Sequence, residues 1–456
     1  MLERLGHVLS GWARRYVPDP FVLALLLTLL TFVAALVFTR FDVTGVLYAW
    51  VDGKGGGKGF WNLLAFGMQM CLILVTGHAF AASPPMRRVL DLVAAAGRTP
   101  ARAVVVVALG AMLLAYFNWG LGLIGGALLA REVGQRARER GVLVHYPLLV
   151  AAGYSGLMVW HGGLSGSAPL KVTLPKDLKE ILGDSLASQV APMPLGQTIG
   201  SFGNLLGNAV LLVLVPLALV RMLPSDPKAR VAAPERARGE LVESPTPEPT
   251  PASRLERSRL VGLGFALIGL ATGGLLLKRQ GVANLDPNLL NFVFLFGGLA
   301  LHGSALSYAN AIGEAAEGCA GVILQFPFYA GIMGMLQGTG LLAAVAGAMA
   351  RVGPEALPAV SFYSAGLVNL FVPSGGGQWA VQGPVVIEAA VKSGVSPARM
   401  VMALAYGDQW TNMLQPFWAL PLLAITGAKA RDIIGYTAVI MLVGQVGFLL
   451  ALYVGW

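Results

Sequence analysis

The sequence predicts an all-α polytopic membrane protein built as two inverted repeats, each with one re-entrant hairpin and one broken helix. Three observations predict it. Apolar residues make up 56% of the 456-residue chain and charged residues only 12%, about half the charged fraction of an ordinary globular domain. So few charges cannot cover a surface in water. Apolar runs of about twenty residues, the length a helix needs to cross hydrocarbon, recur along the chain. Two longer apolar stretches are interrupted midway by polar, Gly-rich sequence.

Composition also excludes. Cys71 and Cys319 are the only cysteines, and both lie in apolar segments, so they read as small core residues rather than a disulfide framework. The formal charge of +9 does not point to nucleic acid, because no folded soluble segment carries a basic stripe with interleaved aromatics. The excess of Lys and Arg in cytoplasmic loops explains it. The run Pro20–Phe38 is too long for the apolar region of a signal peptide, and no small-residue cleavage site follows it. Arg14-Arg15 therefore reads as a topology anchor.

In chain order, spans are expected at Pro20–Phe38, Phe60–Ala82, Tyr146–Leu164, Gly196–Leu219, Leu260–Leu277, Leu289–Tyr308, Gly318–Leu336, Met400–Ile425 and Ile433–Tyr453. The two long stretches are Ala103–Val133, broken at Asn118-Trp119-Gly120-Leu121-Gly122, and Ala359–Val391, broken at Val372-Pro373-Ser374-Gly375-Gly376-Gly377-Gln378-Trp379. Each half is short for a complete span. Arg87, Arg88, Arg98 and Arg102 precede the first stretch, and Arg131, Arg136, Arg138 and Arg140 follow it. Both flanks favour the cytoplasm, so the stretch enters and leaves on one side.

With a cytoplasmic N-terminus, cytoplasmic segments hold three Lys and Arg before Pro20, those eight, eight from Arg221 to Arg259, and Lys429 and Arg431. That is 21 of the 32. Nine spans leave the C-terminus in the periplasm. Glu132, Glu314 and Glu388 lie at segment ends and are expected in solvent.

Residues 224–258 are rich in Pro, Glu and Arg without apolar periodicity, and read as a solvated cytoplasmic linker. It separates a first repeat at 1–223 (hairpin 103–133, broken span 146–170) from a second at 281–456 (hairpin 359–391, broken span 400–425). The repeats share an order of parts and local matches: Pro18-Asp19-Pro20 with Leu285-Asp286-Pro287, and Ala168-Pro169-Leu170 with Leu420-Pro421-Leu422. The unmatched span at 259–280 flips the second repeat. Inverted repeats mark secondary transporters, whose sites lie near the midplane where broken helices meet.

Four interrupted segments are therefore expected to converge. From the first tip come Asn118, Trp119 and Gly120, and from the first broken span Trp160, His161, Gly162, Gly163 and Ser165. The second tip adds Ser374, Gly375, Gly376, Gly377, Gln378 and Trp379, and the second broken span Asp408, Trp410 and Asn412. Irregular backbone at membrane depth is tolerated only against protein or a wet cavity. Helix N-termini created at the breaks suit an anion such as a carboxylate. Asp408 is the one carboxylate central to a broken span. A carboxylate at membrane depth costs about 2.5–3.5 kcal/mol on insertion scales, so it reads as functional. It either takes up a proton or keeps its charge by holding a cation. A coupled H+ or Na+ is the only accessory ion expected, and no resident cofactor or metal. The lack of a second acidic ligand favours the proton.

These segments resemble the bacterial short-chain fatty acid transporter family. The likeness is carried by Tyr16-Val17-Pro18-Asp19-Pro20, Trp61-Asn62-Leu63-Leu64-Ala65-Phe66-Gly67-Met68-Gln69-Met70, Asn118-Trp119-Gly120, Gln325-Phe326-Pro327-Phe328-Tyr329, Val372-Pro373-Ser374-Gly375-Gly376-Gly377, and Asp408-Gln409-Trp410 through Gln415-Pro416-Phe417-Trp418. It covers nearly the whole chain outside the linker. It implies uptake of acetoacetate, butyrate and similar acids across the inner membrane. It also implies kinship with the ion transporter superfamily, whose members tend to be homodimeric elevator-type carriers. The partners expected are thus the acid, the lipid bilayer and a second copy. A dicarboxylate carrier or a cation/proton antiporter on the same architecture is the alternative. An enzyme is not expected, because His161, Asp408 and Ser165 come without a nucleophile elbow or zinc spacing.

Overall fold

The computed structural model describes residues 2–53, 59–234, 250–280, 287–341 and 352–456, and every regular element among them is helical. In chain order the helices are α1 Leu2–Tyr16, α2 Pro20–Phe38, α3 Val43–Val51, α4 Leu64–Ala82, α5 Pro84–Ala96, α6 Pro100–Phe117, α7 Trp119–Glu139, α8 Tyr146–Tyr154, α9 Ser167–Lys171, α10 Pro175–Ala187 and α11 Phe202–Arg221. The linker holds α12 Pro251–Glu256 near its end, and after it come α13 Arg259–Gln280, α14 Pro287–His302, α15 Ala305–Ala316, α16 Ala320–Gly338, α17 Leu357–Asn369, α18 Gly375–Ser393, α19 Pro397–Thr411, α20 Pro416–Thr426 and α21 Ala430–Tyr453. Seven apolar segments among the described residues are long enough to cross a membrane. Large apolar side chains such as Leu29, Leu30, Leu260 and Leu267 are exposed on α2 and α13, as lipid-facing surfaces require. The protein is an integral membrane protein.

The helix starts follow capping chemistry. Asp19, Thr99 and Ser396 each accept a backbone N–H of the first turn, with proline at the first helical position, the arrangement that satisfies an orphan donor and pre-sets the backbone.

Several expected spans are redrawn. The one at Phe60–Ala82 begins at Leu64, because Phe60 N–H turns back to the Val51 carbonyl. The one at Gly196–Leu219 begins at Phe202, capped by Ser201. Leu289–Tyr308 is not a single span: Gly303 takes φ +77°, a left-handed conformation glycine adopts without strain, and Ser304 caps α15. A 3-10 turn at Glu317–Cys319 joins α15 to α16. Glu132 is buried rather than in solvent, paired with Arg136 one turn on at 3.4 Å.

The linker departs from expectation at its start. Ser225 donates to Glu3 through backbone and side chain. Tyr146 N–H donates to the Val231 carbonyl at 2.7 Å, and Val231 N–H to His145 Nδ1 at 3.1 Å. Ala233 is buried. The apolar trio Val231-Ala232-Ala233 gives this stretch something to bury. Residues 235–249, and Leu285 and Asp286 of the expected second repeat, lie outside the described residues.

At the first tip, Asn118 is both the end of α6 and the cap of α7, its Oδ1 accepting Leu121 N–H. α7 doubles back along α6. A Cβ on Gly122 would lie 2.2 Å from the Ala115 side chain, and one on Gly126 2.9 Å from Ala111. These pairs step in opposite directions, and the missing side chains let the backbones close up. At the second tip Ser374 caps α18, and Gln378 Nε2 ties it back to the Ala365 carbonyl of α17 at 2.8 Å.

α8 passes into a 3-10 turn at Ser155–Met158 and then an irregular stretch before α9, and α19 into a 3-10 turn at Asn412–Leu414 before α20. α6 packs on the 3-10 turn that follows α8 with Ala111 against Gly156, and α17 on α19 with Phe362 against Gly407. Both contacts join residues 45 apart in sequence.

Candidate functional site

The segment from Trp160 to Ser167 is where the interrupted elements meet. The first tip reaches it through Leu164 N–H, donated to the Tyr116 carbonyl at 2.7 Å, and Trp119 N–H, donated to Ser165 Oγ at 2.9 Å. Gly163 has no room for a side chain, since a Cβ would sit 2.4 Å from that carbonyl. The second tip reaches it through Gly375, whose Cβ would lie 2.8 Å from the Trp160 ring and 2.9 Å from His161.

The second broken helix supplies the polar centre. The His161 ring, fully buried, stacks on Trp160 with centroids 4.2 Å apart. Ala168 N–H donates to its Nε2 at 3.2 Å, so Nδ1 holds the ring hydrogen and donates to Asp408 Oδ1 at 3.3 Å. His161 N–H donates to Gln409 Oε1 at 2.8 Å. Trp160 Nε1 donates to Asn412 Oδ1 at 2.9 Å, Tyr154 Oη to the Asn412 carbonyl at 2.8 Å, and Asn412 Nδ2 to Gln415 Oε1. Gln415 Nε2 in turn donates to the Asn369 carbonyl at the end of α17. The second broken helix thus caps the second tip's first helix, as Leu164 caps α6.

Not every expected residue joins this centre. At the first tip the Trp119 and Leu121 N–H groups are already donated within the protein, Trp119 packs edge-on against Trp418 at 5.1 Å, and Gly120 lies beside Leu290. Ser374 is spent on Gly377 N–H. Gly377 sits between Ser374 and Met333, while Gly376 is exposed and faces open space. Gln378 turns toward α17, and Trp379 is buried in a separate apolar cluster with Ala168 and Val172. Trp410 points the other way, its Nε1 on the Met441 carbonyl and its ring 4.9 Å from Phe362.

Sequence reasoning missed the amides. Asn204 is fully buried on α11 and donates to the Gly162 and Ile199 carbonyls while its Oδ1 accepts from Tyr406 Oη at 2.9 Å. Asn208, one turn on, donates to Asn204. Asn369 Nδ2 donates to the Asp408 carbonyl at 2.7 Å. Asn at i and i+4 in an otherwise apolar span was the available signal, because an amide at membrane depth needs partners.

Comparison with known proteins identifies the family. A family model described as "Short chain fatty acid transporter" matches residues 1–454. A protein of Escherichia coli (strain K12) is 39% identical over 99% of both chains, and one of Haemophilus influenzae 36% identical over 99% of this chain and 100% of its own. Each is provisionally named a short-chain fatty acid transporter. Among solved structures, the Alcanivorax borkumensis YdaH transporter matches with a TM-score of 0.45 and 17% identity over 96% of this chain and 98% of that one. Neisseria gonorrhoeae MtrF, of a class of antimetabolite efflux pumps, gives 0.32 and 15% over 96% of each. On the strength of the family match and the two relatives, the chain belongs to the short chain fatty acid transporter family.

Proposed function

We propose that the chain is a secondary carrier of short-chain fatty acids such as butyrate and acetoacetate, working across the inner membrane as a cation symporter. The observation that carries this reading is the whole-length family match of a chain whose interrupted elements meet at one buried polar centre. A short acyl tail gains only about 0.8 kcal/mol per buried CH2, so the carboxyl group must supply orientation. Gly375 and Gly376 begin a 19-residue helix, and their N–H groups donate to no protein acceptor among the described residues. They suit an arriving carboxylate, since Gly376 is exposed and Gly375 packs against the Trp160 and His161 of the buried centre. Asp408 is the residue on which the coupled cation rides.

The common spacing of 45 residues in the Ala111–Gly156 and Phe362–Gly407 contacts supports a structural repeat. On it we build an elevator in which the two tips and the two broken helices move together past a scaffold, in a homodimer with a cytoplasmic N-terminus. A dicarboxylate carrier fits less well, since residues 141–170 and 400–428 hold no Lys and only Arg-free sequence.

Ligand-dependent thermal unfolding of the detergent-purified protein tests the substrate class. Butyrate at about a hundred times its Kd stabilises the folded state by about 2.7 kcal/mol, with a smaller effect from succinate. Stabilisation by succinate and none by butyrate contradicts the reading.

A further inference from the structure

The hydrogen bonds around His161 leave two buried polar atoms over, and they are of opposite kind. Asp408 spends Oδ1 on His161 Nδ1–H, and Gln409 spends Oε1 on the His161 and Gly162 N–H groups. Asp408 Oδ2 is then an acceptor without a donor, and Gln409 Nε2 a donor without an acceptor. Asp408 is 1% exposed and Gln409 0%. Consecutive residues thus hold the same histidine by one atom each and leave the other unpaired. Buried polar groups are paired with few exceptions, so this pair asks for a ligand with one acceptor and one donor.

A carboxylate offers acceptors only, and it would set a second negative charge beside Asp408. His161 is the one titratable side chain hydrogen-bonded to Asp408 among the described residues. It comes from the 160–167 segment, and α17 presents the neutral Asn369. Its Nε2 lone pair is taken by Ala168 N–H, so it is a fixed bridge that positions Asp408. A carboxyl group carrying one proton offers one O–H and one C=O.

Resting on the short-chain acid reading above, we propose that the acid binds with a single proton shared between its carboxyl group and Asp408. The O–H lies toward Asp408 Oδ2, and the C=O accepts from Gln409 Nε2. Two like-charged carboxyl groups sharing a site hold one proton between them. The coupling proton and the cargo therefore occupy one site. Each acid arrives as an anion with one proton, so loading adds no net charge.

Butyrate binding to the purified full-length protein, measured against pH, tests this. One proton taken up on binding makes wild-type affinity rise about tenfold for each unit fall in pH. In proteoliposomes, uptake above the protein-free rate then follows an imposed pH gradient and ignores a potassium diffusion potential. Asp408→Asn places an N–H where the lone oxygen was and binds the anion without a proton. Its pH slope vanishes and its uptake responds to the potential. His161→Gln, whose amide can bridge Ala168 and Asp408, keeps the slope. A wild-type affinity flat in pH, a sodium requirement, a tenfold slope surviving in Asp408→Asn, or a slope lost in His161→Gln overturns the shared proton. The two wild-type measurements decide even where Asp408→Asn does not fold. Failure of the wild type to bind any short-chain acid at any pH overturns the substrate reading itself.

Discussion

Asp408 stood out in the sequence because a carboxylate deep in an apolar segment is expensive and so needs a reason. Of its surroundings, Trp160, His161 and Asn412 were legible with it, but Asn204 and Asn369 were not, because Asn and Gln at helix ends read equally as caps. Asn204 shows what that ambiguity hid. It joins α11 to Gly162 and Tyr406, and Asn204→Ala leaves the Ile199 carbonyl and the Tyr406 hydroxyl without this partner, while the Gly162 carbonyl keeps only Asn208 at 3.4 Å. Each such group costs about 1–3 kcal/mol, so thermal unfolding of the variant should show a loss of about 2 kcal/mol or more. The glycines of the second tip separate by role. Gly375→Ala pushes a methyl into Trp160 and His161 and should lower stability as well as binding. Gly376→Leu enters open space and should leave the unfolding temperature in place while weakening butyrate binding on the order of tenfold, about 1.4 kcal/mol. Unchanged butyrate affinity in Gly376→Leu would place the substrate elsewhere.

Among elements, the breaks were legible wherever the residue that makes them is chemically marked. Asn118 before Trp119-Gly120 and Ser374 before three glycines are caps, and the structure turns or restarts a helix at each. The end of α14 was not legible. An apolar window averages over the single left-handed Gly303, and only the backbone reveals it. The docked start of the linker was missed for a related reason, since its pairing with His145 and Tyr146 joins stretches far apart in sequence. The antiparallel packing of α7 on α6 makes the topology testable by cysteine accessibility on a background lacking Cys71 and Cys319. Labels at position 240 should react from the cytoplasm, and labels at the two tips from opposite sides. Exclusive periplasmic reaction at position 240 contradicts the arrangement.

At the scale of the whole molecule, a single polar centre receives two tips, two broken helices and the amides of α11, while α2 and α13 turn apolar side chains outward. Moving an anion inward against a negative interior costs about 2.3 kcal/mol per charge per 100 mV, and under the proposed symport a proton carried at Asp408 would cancel it. The most direct measurement is uptake of labelled butyrate by proteoliposomes, with proton and sodium gradients imposed separately. The expected result is accumulation above protein-free liposomes with the inward proton gradient alone, displaced by acetoacetate and not by succinate. Uptake no faster than in protein-free liposomes under either gradient would contradict the account.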